Sequence, residues 1–380
     1  MIPLSVPNLD GNEWKYIKDC LDTNWVSSVG SYVNRFEEMI AEYSGAKYAI
    51  AISNGTSALH ISLMLAGVVR NDLVIVPNIT FIASVNAITY CGADPVLMDV
   101  KGDTWQMDLD LLEEFLSEQT AVVDGQCIHK ASGRTIRTIM PVHVLGNMCD
   151  MDRLTELASE YGLNIVEDST EALGSFYKGK SAGTFGLLGT FSFNGNKIIS
   201  TGGGGMVVTN DDVLGKKAKH LTTQAKADPL EYYHDEIGYN YRLVNILAAM
   251  GVAQMEQLPG FVNRKHEISK LYNDQLSGLE GVAAQKMGEH VEANHWLYTA
   301  TFPQQRDLLN YLIAAGVQAR PFWVPMNQLP MFRDQLYFTK ENVSDKVYGS
   351  CISLPCSTSI TDDEIMTVTN LIKDFYHKKG

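Results

Sequence analysis

Three short segments carry residue types that can do chemistry. The first, Asn54-Gly55-Thr56-Ser57-Ala58-Leu59, follows the apolar run Tyr48 to Ser53 and opens a helical pattern. Small residues there allow close backbone approach, and hydroxyls beside the free amides of a helix start suit a phosphate. An N-cap with nothing bound fits the same residues equally well. The second is Asp168, which ends the run Asn164-Ile-Val-Glu-Asp168 at what would be the carboxyl edge of a sheet. Ligands of α/β proteins bind at that edge, though a lone carboxylate there can simply cap a helix or face water. The third, 29 residues on, is Lys197 in Phe191-Ser192-Phe193-Asn194-Gly195-Asn196-Lys197, ahead of the flexible Thr201-Gly202-Gly203-Gly204-Gly205. Most lysines are surface charges. Aromatic, small and uncharged neighbours instead fit a half-buried amine of lowered pKa, the type that forms Schiff bases.

Together the three segments match the needs of pyridoxal phosphate. The carboxylate would keep the pyridine nitrogen protonated so that the ring can draw electrons. The lysine would hold the aldehyde and then move protons as a general base. Phe81, at the end of another strand pattern, offers an aromatic face for the ring. A rival motif is Gly174-Ser-Phe-Tyr-Lys-Gly179-Lys180-Ser181, a literal P-loop match. It is followed by Ala182-Gly-Thr-Phe-Gly186, which is poor helix material, so it reads as a tight turn.

The elements that must position these residues alternate. Strand patterns are expected at Tyr48 to Ser53, Leu73 to Pro77, Pro95 to Asp99, Ile139 to Leu145, Asn164 to Asp168, Gly189 to Phe193 and Gly205 to Thr209. Helix patterns fall at Thr56 to Ala66, Ser84 to Tyr90, Leu109 to Glu118 and Met151 to Tyr161. Such alternation implies an α/β fold with a central, mostly parallel sheet of seven strands. Gly125 to Ile139 reads as a hairpin inserted before the Pro141 strand, and Asp211 to Asp235 as a charged surface connection. Past residue 245 the texture changes to a long apolar helix, Ile246 to Leu258, a second helix, Glu267 to Leu276, and short segments. The division expected is a large α/β domain, 1–245, with an N-terminal arm, then a smaller α+β domain, 246–380.

Composition narrows the partners. With 44 acidic and 30 basic side chains the formal charge is −14, which disfavours nucleic acid and anionic membranes. No apolar run is long enough to insert in a bilayer, and the first residues do not read as a signal peptide, so a cytoplasmic protein is expected. The six cysteines are too few and too scattered for a disulfide framework, and around the closest pair, Cys351 and Cys356, no His or second Cys pair has zinc-ligand spacing, so no metal is expected.

Over essentially its full length the chain resembles the sugar aminotransferases of the DegT/DnrJ/StrS family, which have the fold-type I architecture of pyridoxal-phosphate enzymes. The matching segments are Trp25-Val-Ser-Ser28, Ser53 to His60, Pro77 to Phe81, Pro141-Val-His143, Glu167-Asp168 through Glu171-Ala-Leu-Gly174, Phe191 through Lys197, Gly238-Tyr-Asn-Tyr-Arg242 and Arg320-Pro-Phe-Trp-Val-Pro325. The resemblance implies Lys197 as the Schiff-base lysine and Asp168 as the partner of the pyridine nitrogen. It implies Gly55, Thr56, Ser57 and Ser192 around the phosphate, Phe81 on the ring and Glu171 near the ring hydroxyl. Asn240 would reach the phosphate from a second subunit, which implies a homodimer with shared active sites. Trp25, Asn194 and Arg320 would contact substrate.

Departures from the family pattern suggest a subgroup. Asn194 stands where many relatives have His, Gly202 to Gly205 replace a Gly-Glu-Gly-Gly run, and Asn327 replaces a His after Met326. The Gly125 to Ile139 insertion and Val144 to Asp150 resemble the branch that aminates UDP-linked 4-keto-6-deoxy-N-acetylhexosamines, with the perosamine synthases, which use a GDP-linked sugar, as neighbours. The implied reaction moves the amino group of L-glutamate to C4 of such a sugar for surface polysaccharide. A 3-keto sugar is an alternative substrate. A dehydratase of this fold would have His in place of Lys197, and a non-catalytic relative would show damage at Asp168 or Lys197. His60, His143 and His295 fit core or surface roles more readily than substrate contacts.

Overall fold

The structure, a computed structural model, describes residues 1–27 and 30–378. Ser28, the last residue of the Trp25 motif, lies outside them. The main sheet is built from β1 (Tyr48–Ile52), β2 (Leu73–Pro77), β3 (Asp94–Met98), β4 (Thr120–Val123), β5 (Gln126–His129), β6 (Thr135–Ile139), β7 (Asn164–Asp168), β8 (Leu188–Ser192) and β9 (Gly205–Thr209). Their order is β1-β9-β8-β7-β6-β2-β3, the seven-stranded core expected. β9 runs antiparallel to both its neighbours, and the other pairs along this path are parallel. β2 and β9 are buried at every position, as a sheet covered on both faces requires. The sheet is wider than the sequence suggested. Leu336–Phe338, from far along the chain, adds a parallel strand to β3, and the β4–β5 hairpin joins at β6.

Crossover helices α1 (Glu13–Asp22), α2 (Ser31–Ser44), α3 (Gly55–Leu65), α4 (Ala83–Tyr90), α5 (Leu109–Gln119) and α6 (Met151–Glu160) precede or link these strands. Three local expectations shift. The strand expected over 139–145 lies at Thr135–Ile139, because Pro141 has no N–H for a ladder. The apolar run after it is buried without being a strand: Val142 bridges Asp168, and Leu145 sits at φ 62 in a short 3₁₀ turn. The turn at Ala131-Ser132-Gly133 does make a hairpin, but its second arm is the sheet strand β6 itself. The stretch Asp211 to Asp235 contains α7 (Asp212–Thr222), whose first amides are capped by the Asp211 carboxylate, and then an exposed ribbon, Lys226–Asp228 with Tyr233–His234. The P-loop match is a two-stranded turn, Phe176–Tyr177 with Lys180–Ser181.

Two helices follow, α8 (Asn245–Met255) and α9 (Leu258–Leu276). Val252 and Met255 of α8 share a core with Phe36, Phe193 and Met206, and so do Leu258 and Phe261 at the start of α9. Ile268, Tyr272 and Leu276 join a different core, with Leu308, Ile352 and Ile365. α9 thus spans two cores, and later residues such as Trp296, Phe322 and Val347 return to the core around Val74 and Val166. The C-terminal unit holds the antiparallel strands Ala283–Ala284, Tyr298–Thr301, Cys351–Leu354 and Arg320–Pro321, with α10 (Gln305–Ala314), α11 (Val343–Ser350) and α12 (Asp362–His377). The N-terminal arm reaches across to it: Ile2 bridges Val317, and the Cys356 amide donates to the Leu4 carbonyl at 2.8 Å. Among the described residues no helix is long and apolar enough to cross a membrane.

Candidate active site

The carboxyl ends of β2, β7 and β8 converge on a cavity of about 500 Å³. Its walls include Gly55, Thr56, Phe81, Asp168, Glu171, Ser192, Asn194, Lys197 and Arg320, nine of the residues singled out in the sequence. Three others stand elsewhere. Ser57 lies within the first turn of α3, where its amide donates to Asn54 Oδ1 at 2.8 Å. Asn240 is exposed beside Thr223. Trp25 borders a separate surface hollow with Asp19, Tyr32 and Lys219, its carbonyl accepting from Asn245 Nδ2 at 2.7 Å.

The first wall is the start of α3. Asn54, in extended conformation, caps the helix, and the next residues turn their backbone toward the cavity. Close approach makes this possible. A Cβ on Gly205, at the start of β9, would lie 2.6 Å from the Asn54 carbonyl carbon and oxygen, so only glycine fits. With the Thr56 and Ser192 hydroxyls, this end of the cavity has amides and hydroxyls suited to a phosphate.

The second wall carries the charges. Asp168 is 3% exposed and accepts from Ser84 Oγ at 2.6 Å and from the Thr170 amide at 3.2 Å. Lys197 Nζ lies 3.6 Å from Glu171 Oε1 and 4.0 Å from the centroid of the Trp296 ring. Burial pushes the Lys197 amine down, against the opposing pull of Glu171 and Asp168. Burial pushes Glu171 up to about 7, opposed by Lys197 and by the Leu145 amide, which donates to Glu171 Oε2 at 2.8 Å. Both shifts favour the uncharged pair. The lysine loop is held in place because Trp296 Nε1 and Ser5 Oγ both donate to the Asn196 carbonyl, at 2.7 and 3.0 Å.

Ser84 and Trp296 were not singled out by sequence. Ser84 sits three positions after Phe81, and that spacing on one helical turn was the available signal. Trp296 follows α9 in the chain but packs into the core around Leu59 and Leu145, and nothing local announces it. Of the three histidines weighed in the sequence, His60 and His143 are buried and His295 is partly so. His143 Nε2 lies 2.9 Å from Glu167 Oε2, with both side chains fully buried. His60 Nδ1 meets the Tyr241 hydroxyl at 3.3 Å, and burial pushes His295 down to about 4. Asn327 does not line the cavity; its Oδ1 accepts a hydrogen bond from Asn78 Nδ2 at 2.9 Å.

This donor set fits pyridoxal phosphate: a helix start with hydroxyls, a buried carboxylate, an amine and the half-exposed Phe81 ring all line one cavity. The DegT/DnrJ/EryC1/StrS aminotransferase family matches residues 7–373. The chain is 39% identical over 381 residues to GDP-perosamine synthase of Escherichia coli O157:H7, covering 100% of this chain and 99% of that protein. It is 29% identical over 363 residues to UDP-4-amino-4,6-dideoxy-N-acetyl-beta-L-altrosamine transaminase of Campylobacter jejuni, covering 94% and 92%. A crystal structure of a DegT DnrJ EryC1 StrS aminotransferase from Brucella abortus superposes with a TM-score of 0.89 at 25% identity, covering 96% of this chain and 95% of that one. Site and sequence agree, and the chain belongs to the DegT/DnrJ/EryC1/StrS family of sugar aminotransferases, which work with pyridoxal phosphate.

Proposed function

We propose that the protein transfers the amino group of L-glutamate to the C4 carbonyl of a nucleotide-linked 4-keto-6-deoxy sugar, in the making of a surface polysaccharide. The observation that carries this reading is the half-buried Lys197 amine in one cavity with Asp168 and the start of α3. The first substrate suggested by sequence is a UDP-linked 2-acetamido sugar. The 39% identity to a GDP-perosamine synthase, against 29% to the UDP-sugar transaminase, supports a GDP-linked sugar as the second reading.

When bound, pyridoxal phosphate supplies the electron sink for breaking the bond to hydrogen at glutamate Cα and carries the amino group between substrates. Gly55, Thr56 and Ser192 would hold its phosphate, and Asp168 would hold a proton on its ring nitrogen. Lys197 Nζ takes the proton from glutamate Cα and, in the second half, delivers a proton to sugar C4. Glu171, facing Lys197, can hold the proton that the amine releases. Phe81 would cover one face of the ring and keep water from it. Arg320, exposed at the cavity wall, is placed to meet the negative charge of the nucleotide.

The assembly proposed is a homodimer. Asn240 lies outside its own cavity, and the segment leading to it exposes Leu230, Tyr232, Tyr233 and Ile237, which suits a contact with a second copy. Free thiols at all six cysteines fit a reducing cytoplasm. Lys197→Ala should abolish both amino transfer and the borohydride-sensitive yellow colour of the loaded protein. Retained transfer in that variant would sink the assignment. A panel of GDP- and UDP-linked 4-keto sugars with glutamate, read by product mass, separates the two substrate readings.

A further inference from the structure

Asp168 is tied to Ser84, in the first turn of α4, and through it to Thr80. Its Oδ2 lies 2.6 Å from Ser84 Oγ, and Ser84 Oγ lies 2.8 Å from Thr80 Oγ1. All three side chains are buried. Both hydroxyls also lie 3.2 Å from the Phe81 carbonyl, so each has a choice of acceptor. A hydroxyl has one proton to give, and an ionised carboxylate can only accept. Ser84 must therefore give its proton to Asp168, which leaves its lone pairs to accept from Thr80. The 2.6 Å separation falls in the range of O–H bonds to a charged acceptor, about 2.5–2.7 Å. The chain runs from Thr80 to Ser84 to Asp168, each bond polarising the next.

Ser84 also belongs to the turn that carries Phe81, since its amide donates to the Phe81 carbonyl at 3.2 Å. One piece of backbone thus sets both the aromatic face and the partner of Asp168. We propose that Ser84, polarised by Thr80, is a positioning residue that holds the Asp168 carboxylate charged and aimed, so that the proton stays on the cofactor's ring nitrogen. The inference rests on the proposed function. Without the Ser84 proton, the carboxylate would compete with the ring nitrogen for the proton it is meant to hold there.

The test uses the full-length protein loaded with pyridoxal phosphate labelled at the ring nitrogen, whose NMR signal reports protonation at that atom. In wild type the signal should be that of the protonated ring, and in Ser84→Ala it should move toward the unprotonated one. kcat should fall about tenfold to a hundredfold, the loss expected for one hydrogen bond to a charged group, with KM for both substrates nearly unchanged. Thr80→Val, which keeps Ser84, should give a smaller shift of the same sign and serves if Ser84→Ala does not fold. An unmoved ring-nitrogen signal in a folded, loaded variant overturns the role of Ser84, as does a loss of kcat that merely follows a lowered melting temperature. Wild-type protein that takes up no cofactor would instead defeat the proposed function.

Discussion

Glu171 faces Lys197 in a cavity wall where both charges are desolvated, and the carboxyl titrates in a useful range. Its value rises from the ordinary 4.5 to about 7 on burial. A carboxyl raised in this way binds its proton more tightly when folded. Its contribution to stability is complete below its unfolded value and is lost as pH rises through the folded one. Cofactor-free wild type should therefore lose stability relative to Glu171→Gln between about pH 5 and 8, by of order 1–3 kcal/mol. Lys197, pushed down by burial, acts with the opposite sign at higher pH, so melting curves are compared below that range. Parallel pH curves for the two proteins would show that the carboxyl is not raised. Asp168 and Lys197 were legible in the sequence because their own segments describe them: a carboxylate ending a strand run, and an amine among aromatic and small residues. Ser84 and Trp296 were not. A serine in a helix start and a tryptophan 99 positions past the lysine gain meaning only from what folding sets beside them.

At the scale of elements, the cradle depends on how closely β9 can approach the start of α3. A side chain on Gly205 would meet backbone atoms of Asn54 and Gly55, which cannot swing aside. Gly205→Ala should cost about 1–3 kcal/mol in denaturant unfolding and weaken cofactor binding by tenfold or more. Gly203→Ala, with no atom within 4 Å of the added carbon, should unfold within about 0.5 kcal/mol of wild type. Equal effects at both positions would mean that chain flexibility, and not close approach, explains the glycine run. Most of the sheet was legible because buried parallel strands are short apolar runs between helical patterns. The reading slipped by several residues at β6, where regular pairing stops at Ile139 and returns past Pro141 only as the Val142–Asp168 bridge. Leu336–Phe338 escaped because three residues carry too little pattern, and their pairing with β3 spans most of the chain. α8 showed its length but not its side: a helix that is apolar nearly all round gives no sign of which core will enclose it.

The whole molecule is acidic, with a charge of −14, yet its reaction needs two anionic groups held close together. Helix-start amides and hydroxyls can hold the cofactor phosphate without formal charge, and Arg320 adds an exposed cation to the wall. That leaves Asn240, which the family pattern assigns to the phosphate but which lies exposed and outside the cavity of its own chain. A second copy resolves the conflict if its Asn240 completes the neighbouring cavity. In a twofold dimer the exchange must be mutual, so each site draws on both chains. Complementation tests this directly. Lys197→Ala lacks the amine but keeps Asn240, whereas Asn240→Ala keeps the amine but cannot complete a neighbour. In a mixed dimer one site has both residues and the other has neither. With equal co-expression half of the dimers are mixed, and activity should reach about one quarter of wild type per site, above Lys197→Ala alone. If mixed dimers form, as native mass shows, and activity is only the average of the two parents, Asn240 serves its own chain and the sites are not shared.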